Sequence, residues 1–490
     1  MSSAKFSWCP RNGDRDSKLV PAKPEGFQFD SIHVSGRVSA GAGEGGISGT
    51  QGVWSASIIR KGTVQMKIAV IGTGIAGNVA AYHLAREHDV TVFEADNRIG
   101  GHTNTVRVEH GGQEYSIDTG FIVFNERTYP NFIALLDELG VAWQDSDMGF
   151  SVQHEKTGLE YSGSTLNSLF AQRSNLFRPS FHRMIREILR FNRESPRLLE
   201  ANASSVSLKD YLSNEKYSQE FVDHFIIPMG AAIWSANPEV MGQMPAEFFV
   251  RFFQNHGMLS VNDRPVWRVI KGGSNSYVEK LVAGHRDRIR LNAPVEFVRR
   301  FPEYVEVKVT GHEVERFDQV FMACHGDQAL QLLADPSLNE EQVLGQFKYQ
   351  PNEAILHTDD SLMPRRRRAW AAWNYHIPAY SQERVAVSYN MNILQGIEAP
   401  ATFCVTLNHT YAIRSEKIIQ RFQYSHPVFT LESIEAQKRH ADVNGIYRTY
   451  YCGAYWRNGF HEDGVVSALT ALDHFKERLS NEQRDFRRAG

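Results

Sequence analysis

Cysteine is scarce: the 490 residues hold four, Cys9, Cys324, Cys404 and Cys452, with no repeated spacing. That excludes a disulfide framework and a cysteine-built metal site, and it fits a reducing compartment. Excess charge of either sign is also missing. The 53 Lys and Arg nearly balance the 56 Asp and Glu, for a formal net charge of −3, which excludes bulk attraction to nucleic acid. No apolar run is long enough to span a bilayer, and the N-terminal stretch has no apolar h-region, so neither a membrane span nor a secretory signal is expected. No repeat of solenoid period occurs. His357, His376, His426 and His461 are scattered without metal-ligand spacing, so no metal is predicted. No nucleophile triad stands out. These absences predict a cytoplasmic protein.

What is present is globular composition, 42% hydrophobic and 22% charged, at a length that predicts two packed domains. Residues 1–65 stand apart. The stretch 36–52 holds seven glycines in seventeen residues, too little apolar surface to offset its ordering entropy, so a disordered Gly/Ser-rich extension is expected. The functional polypeptide is expected to begin near Met66. From there the pattern is βαβ. Residues 68–71 form a continuous apolar run, as in a strand covered on both faces. A glycine turn, a helix through Leu84 and a second strand at 90–93 follow. A hairpin is expected with arms 103–108 and 114–118 around Gly111-Gly112, then a helix over 130–139 stopped by Gly140. Residues 165–260 are helical in pattern, and 349–406 read as several strands.

Gly72-Thr73-Gly74-Ile75-Ala76-Gly77 fits G-x-G-x-x-G. Gly72 permits the turn out of the strand, Gly74 lets backbone approach a pyrophosphate, and Gly77 lets the helix pack on the sheet. The helix N-terminus offers free N–H groups to the anion. Glu94 ends the second strand, where an acid accepts hydrogen bonds from ribose hydroxyls, with Ala95 beside it. The turn Arg98-Ile99-Gly100-Gly101-His102-Thr103 could add backbone N–H groups and a guanidinium at the same pyrophosphate or the flavin side. Its plainer reading is a turn leading into the hairpin.

Taken together, residues 67–77, Glu94 and Arg98-x-Gly100-Gly101 resemble the flavin amine oxidase and phytoene desaturase superfamily. Asp118-Thr119-Gly120-Phe121, Lys271-Gly272-Gly273-Ser274 and Ala293-Pro294-Val295 resemble its internal segments. Cys452-Gly453-Ala454-Tyr455 and the run from Gly459 through Glu462, Asp463, Gly464 and Val465 resemble its C-terminal flavin segment. The likeness runs from Met66 to about residue 476. It extends to a bacterial NAD/FAD-binding subgroup often encoded beside cyclopropane-fatty-acid-synthase-like proteins. It implies an α/β fold, a Rossmann-type FAD-binding domain interleaved with an α+β substrate domain. The implied division is 66–150, 266–330 and 446–490 for the FAD-binding parts, with 151–265 (helical) and 331–445 (strand-rich) for the substrate domain. Val295 would meet adenine. The helix beginning at Asp463-Gly464 would point at the flavin. His102 stands where amine oxidases commonly have Arg, and Tyr455-Trp456 where they often have Glu.

The implied cofactor is non-covalent FAD, since Cys452 does not match an attachment motif. The implied function is hydride transfer from a hydrophobic substrate, a fatty acyl or lipid chain, to flavin N5. A flavin amine oxidase, an NAD-only dehydrogenase and a non-catalytic prenyl-binding escort of the same fold are the alternatives. His461 is the candidate for proton transfer. Phe249, Phe252 and Phe253 share one helical face and, with the densely apolar segment 225–234, Phe248, Trp373 and Tyr375, are candidates for an apolar substrate channel. Arg183, Arg186, Arg190, Arg193 and Arg197 recur at steps of three or four, with Met184, Ile185, Ile188, Leu189 and Phe191 between them. With the four arginines at 365–368, they are candidates for peripheral contact with a membrane's inner face.

Overall fold

The computed structural model describes residues 65–200, 206–379 and 384–489. The disorder expected of the N-terminal extension falls, save for Gln65, outside the described residues.

Alternation along one strand explains the architecture around the glycine turn. In Lys67–Ile71, Ile68 and Val70 enter one core and Ala69 and Ile71 another, because successive side chains leave opposite faces of a sheet. A strand buried on both faces belongs at a sheet's centre. Its sheet has the order Ile289–Arg290, Asp89–Phe93, Lys67–Ile71, Gln319–Met322, Thr449–Tyr451, with every neighbouring pair parallel. One face is covered by the helix Ile75–Leu84, which packs against Asn275–Val282 and the long C-terminal helix His461–Ala489. The other is covered by an antiparallel meander, Val295–Arg300, Val305–Val309 and Glu315–Phe317, whose valines complete the second core.

A seven-stranded sheet forms the rest of the framework. Its order is Ile418–Val428, Lys348–His357, Cys404–Leu407, Ala386–Asn390, Trp373–Ile377, Phe150–His154, Leu159–Ser162. All its pairs are antiparallel except Trp373–Ile377 against Phe150–His154. Together with the helices between Leu166 and Asn255 it encloses the largest core.

The hairpin forms from Thr105–His110 and Gln113–Asp118, so its first arm starts two residues later than expected. Gly111 and Gly112 take φ of 62° and 79°, as a two-residue hairpin turn demands. The helix Pro130–Glu138 has proline in its first turn. The C-terminal helix starts at His461, before rather than after Asp463-Gly464. No helix among the described residues is long and apolar enough to cross a membrane.

Candidate functional site

The glycine turn leaves the central strand at its C-terminal end, where open parallel sheets bind ligands. Gly72 has φ of +102°, and a Cβ there would lie 2.9 Å from the Ala323 carbonyl oxygen. Gly74 is different: a Cβ on it would meet nothing within 4 Å. It caps a helix with no side-chain cap and no acid in its first turn, so the dipole end is left for an exogenous anion. The Asn78 amide braces the turn by donating to Thr73 O at 2.7 Å. Glu94 accepts from the Thr73 N–H at 2.9 Å, from the Thr73 hydroxyl, and from the Asp96 N–H at 2.9 Å. Ala95 is exposed on the turn beyond it.

The second glycine turn docks on the first, Gly100 N–H donating to Thr73 O at 3.1 Å. Arg98 lies behind this turn. It donates to Gly101 O at 2.7 Å and Thr103 O at 3.0 Å and is off the cavity wall, so its role here is bracing rather than reaching a phosphate. Gly101 and His102 are on the wall. The His102 ring stacks on Tyr424 at 5.0 Å and faces His426 at 5.2 Å and His325 at 6.4 Å. Its Nε2 is buried without a hydrogen-bond partner. Burial, followed by His426 and His325, holds its pKa well below the usual range, so it is a neutral ring at physiological pH.

The C-terminal helix begins against both turns. A Cβ on Gly464 would fall 2.5 Å from Ile75 Cγ2, so the two helices meet here with no room for a side chain. Glu462 and Asp463 are off the cavity wall. The Glu462 carboxylate accepts from Asn131 N–H at 3.1 Å, Asn131 Nδ2 at 2.7 Å and Phe132 N–H at 2.8 Å. It therefore caps Pro130–Glu138, whose own N-cap, Tyr129, supplies no side-chain bond. Asp463 accepts from Phe460 N–H at 2.9 Å. Val465 is core. Val295 is also off the wall, packed beside the meander core.

His461 lines the cavity, stacked on Phe121 at 3.6 Å and 7°. Its Nε2 lies 2.6 Å from Tyr277 OH and 3.2 Å from Thr103 Oγ1, which themselves lie 2.7 Å apart. Burial lowers its pKa to about 3. A ring so buried and so engaged does not take up a proton near neutrality. The candidate base is instead a fixed partner in a buried network, and Thr103 enters the site through that network rather than by lining the wall.

These elements wall one cavity of about 1200 Å³, larger than the roughly 300–1,000 Å³ of an ordinary small-ligand pocket. Gly72, Gly74, Ile75, Ala76, Glu94, Gly101, His102, Gly453 and His461 share its wall with many large apolar side chains. Of the expected channel residues, Phe252, Phe253 and Trp373 line it. Phe249 does not: it is fully buried, stacked on Phe253 at 4.2 Å and facing Phe191 and Trp234. Tyr375 is likewise buried off the wall, beside Phe150. From the expected apolar segment 225–234, Phe225, Met229, Ile233 and Trp234 line the cavity too; sequence reasoning missed Tyr424 and His325 as lining residues, and took Ile185, Ile188 and Leu189 only as apolar bulk between arginines, yet all five lie on the wall. For the helix residues a signal existed: a helix with arginines on one face carries its apolar residues on the other.

The residues fit FAD. The open backbone at Gly74, the unshared helix end and the Glu94 carboxylate suit its diphosphate and ribose. His102, a wall residue, leaves its buried Nε2 without a protein partner. Away from this cavity, Glu155, His376 and His409 bring ligand-capable atoms within 4.8 Å of one another, a grouping that spacing along the chain does not reveal.

The sequence matches the family described as flavin containing amine oxidoreductase over residues 75–371, more than half of the chain. It is 28% identical to protoporphyrinogen oxidase 2, chloroplastic/mitochondrial, of Arabidopsis thaliana over 179 residues, 35% of this chain and 33% of that one. It is 26% identical to amine oxidase [flavin-containing] A of Bos taurus over 291 residues, 56% of this chain and 52% of that one. The chain thus spans a third to about a half of the length of these curated relatives. Among solved structures, the CLA-producing fatty acid isomerase of P. acnes superposes with a TM-score of 0.61 at 15% identity, covering 84% of this chain and 98% of that one. At that identity the likeness is one of fold.

Proposed function

The chain belongs to the flavin-containing amine oxidoreductase family, and from that premise we propose that it is an FAD-dependent oxidoreductase acting on a hydrophobic substrate with an acyl chain. The observation that carries the proposal is that one cavity is walled both by the glycine turn with Glu94 and by large apolar side chains such as Phe225, Met229, Phe253 and Leu189. The fold likeness to a fatty acid isomerase supports the acyl reading. FAD, when bound, supplies a hydride acceptor at flavin N5.

The chain's own residues bind, orient and exclude water. The turn at 72–77 and the first turn of Ile75–Leu84 offer backbone N–H groups to the diphosphate. Glu94 accepts from ribose hydroxyls. Phe253, Trp373 and Leu189 form walls that an aliphatic chain can fill, stabilising it by about 0.8 kcal/mol per buried CH₂. The Thr103–Tyr277–His461 set holds its protons at fixed atoms. Attachment of the flavin is non-covalent in this reading: Cys452 is buried off the wall, and the Cys324 thiol on the wall is pushed up to about 12 by burial, so it stays protonated. Asp145 and Asp147 are exposed on the cavity wall; they favour a second reading, an ammonium-bearing substrate.

Anaerobic mixing of the flavin-loaded protein with unsaturated fatty acids, phospholipids and amines separates the two. Bleaching of the flavin's visible band by an acyl compound, with amines inert, is the expected result. Bleaching by amines alone would overturn the acyl reading.

A further inference from the structure

Outside the cavity wall, the two arginine-rich segments, far apart in sequence, lie on one surface. Leu166–Leu169 packs against Arg367–Ala369, and Arg173–Phe177 packs against Pro179–Glu194. Arg173 donates to Phe170 O at 2.8 Å, the Phe170 ring lies 5.8 Å from that of His182, and His182 Nε2 is 2.9 Å from Leu176 O. These contacts join the four segments into one patch.

The patch is unusual in two respects. Large apolar side chains stand in water on it: Leu166 is 78% exposed, Phe177 87%, Leu189 49% and Leu176 45%. Single exposed leucines are ordinary, but a group of them rimmed by charge marks an interaction surface. Its positive charge is also incompletely paired. Arg183, Arg190, Arg193 and Arg366 have acid partners, whereas the exposed Arg186, Arg365 and Arg368 pair with no carboxylate among the described residues. An unpaired guanidinium is weakly hydrated and suits phosphate oxygens. The inner side of the same segments lines the cavity through Leu169, Ile185, Ile188 and Leu189, and Leu189 belongs to both surfaces.

We propose that this face docks on an anionic phospholipid bilayer, with Leu166, Leu176 and Phe177 among the acyl chains and the arginines at the level of the phosphates. Apolar residues flanked by arginines on short helical segments match an interfacial contact, which needs both buried apolar area and attraction to anionic lipid. An acyl chain then has a short path past Leu189 into the cavity. That last step rests on the acyl reading of the site; the docking does not.

Co-sedimentation of the full flavin-loaded chain with vesicles tests the docking without turnover. The vesicles are phosphatidylcholine alone, or phosphatidylcholine with phosphatidylglycerol, each at low and high salt. The protein is expected to pellet with the anionic vesicles at low salt, to be released by high salt and to ignore the neutral ones. Phe177→Asp and the double variant Arg186→Glu/Arg365→Glu are expected to lower partitioning about tenfold or more, with flavin spectrum and Tm unchanged. Equal pelleting of wild type and both variants would overturn the proposal, as would no binding to anionic vesicles. So would a self-associated species in sedimentation velocity that Phe177→Asp splits, since that outcome puts a second copy on the patch. Failure of acyl compounds to bleach the flavin, with docking intact, would remove the acyl reading and leave the surface standing.

Discussion

Glu94 shows how one carboxylate serves both the turn and its ligand. It holds Thr73 through amide and hydroxyl, so its loss loosens the turn as well as removing the ribose contact. Glu94→Gln is expected to weaken FAD binding about tenfold or more, the worth of charge-assisted bonds, read by fluorescence titration of the apoprotein. His461 leads to the opposite expectation. With its pKa lowered to about 3 and its Nε2 bonded to Tyr277 and Thr103, His461→Ala should cost about 1–3 kcal/mol of stability, seen as a lower Tm. The pH dependence of flavin reduction should keep its shape; loss of a limb near neutrality in that variant would reinstate His461 as the base. The turn residues were legible in the sequence because each acts on neighbours a few positions away. His102, His325 and His426 form their cluster only through the fold, and no local pattern announces it. Phe249 and Phe253 share a helical face, so periodicity could not tell which one meets the cavity and which one meets Trp234.

At the scale of elements, the C-terminal helix acts as a clamp. It crosses Ile75–Leu84 at Gly464 and caps Pro130–Glu138 with Glu462. The segment was legible as a helix start pointing at the flavin, but Gly464 packs on Ile75, a helix contact, and the acids beside it have protein partners. The partners of Glu462, Asn131 and Phe132, lie more than three hundred residues upstream, out of reach of any reading of spacing, whereas Asp463 bonds Phe460 three residues away. Glu462→Ala should cost about 1–2 kcal/mol, as for a lost N-cap, measured by thermal melting, with the flavin spectrum preserved. A colourless variant of normal Tm would mean that Glu462 contacts the cofactor after all.

Across the whole molecule, burial sets the acid response. His256, His357, His426 and His440 have folded pKa values of about 4, and His376 and His461 of about 3, each lowered chiefly by burial from the usual 6.5. The unfolded chain binds protons on these rings below pH 6.5 and the folded chain does not, so their contribution is present above 6.5 and lost as pH falls towards 3–4. Asp118 and Asp463 act oppositely. Burial raises both to about 6, so they favour the folded state as pH falls from 6 towards their usual 3.8. Six rings outweigh two carboxyls, and Tm is expected to fall between pH 7 and pH 5, followed by calorimetry. The nucleotide sheet was largely readable because its strands are short apolar runs beside glycine turns. The seven-stranded sheet was less so, because its order joins strands distant along the chain and its apolar face is shared with helices.

The central claim is that the turn at 72–77 and the walls around it hold FAD. The most direct measurement is the flavin content of the purified chain after acid precipitation. The account predicts one FAD per chain, released into the supernatant, and its loss in Gly74→Val, where a side chain would fill the open space over the helix end. A chain that carries no flavin and takes up none on incubation with FAD, or a Gly74→Val protein that keeps its full complement, would contradict it.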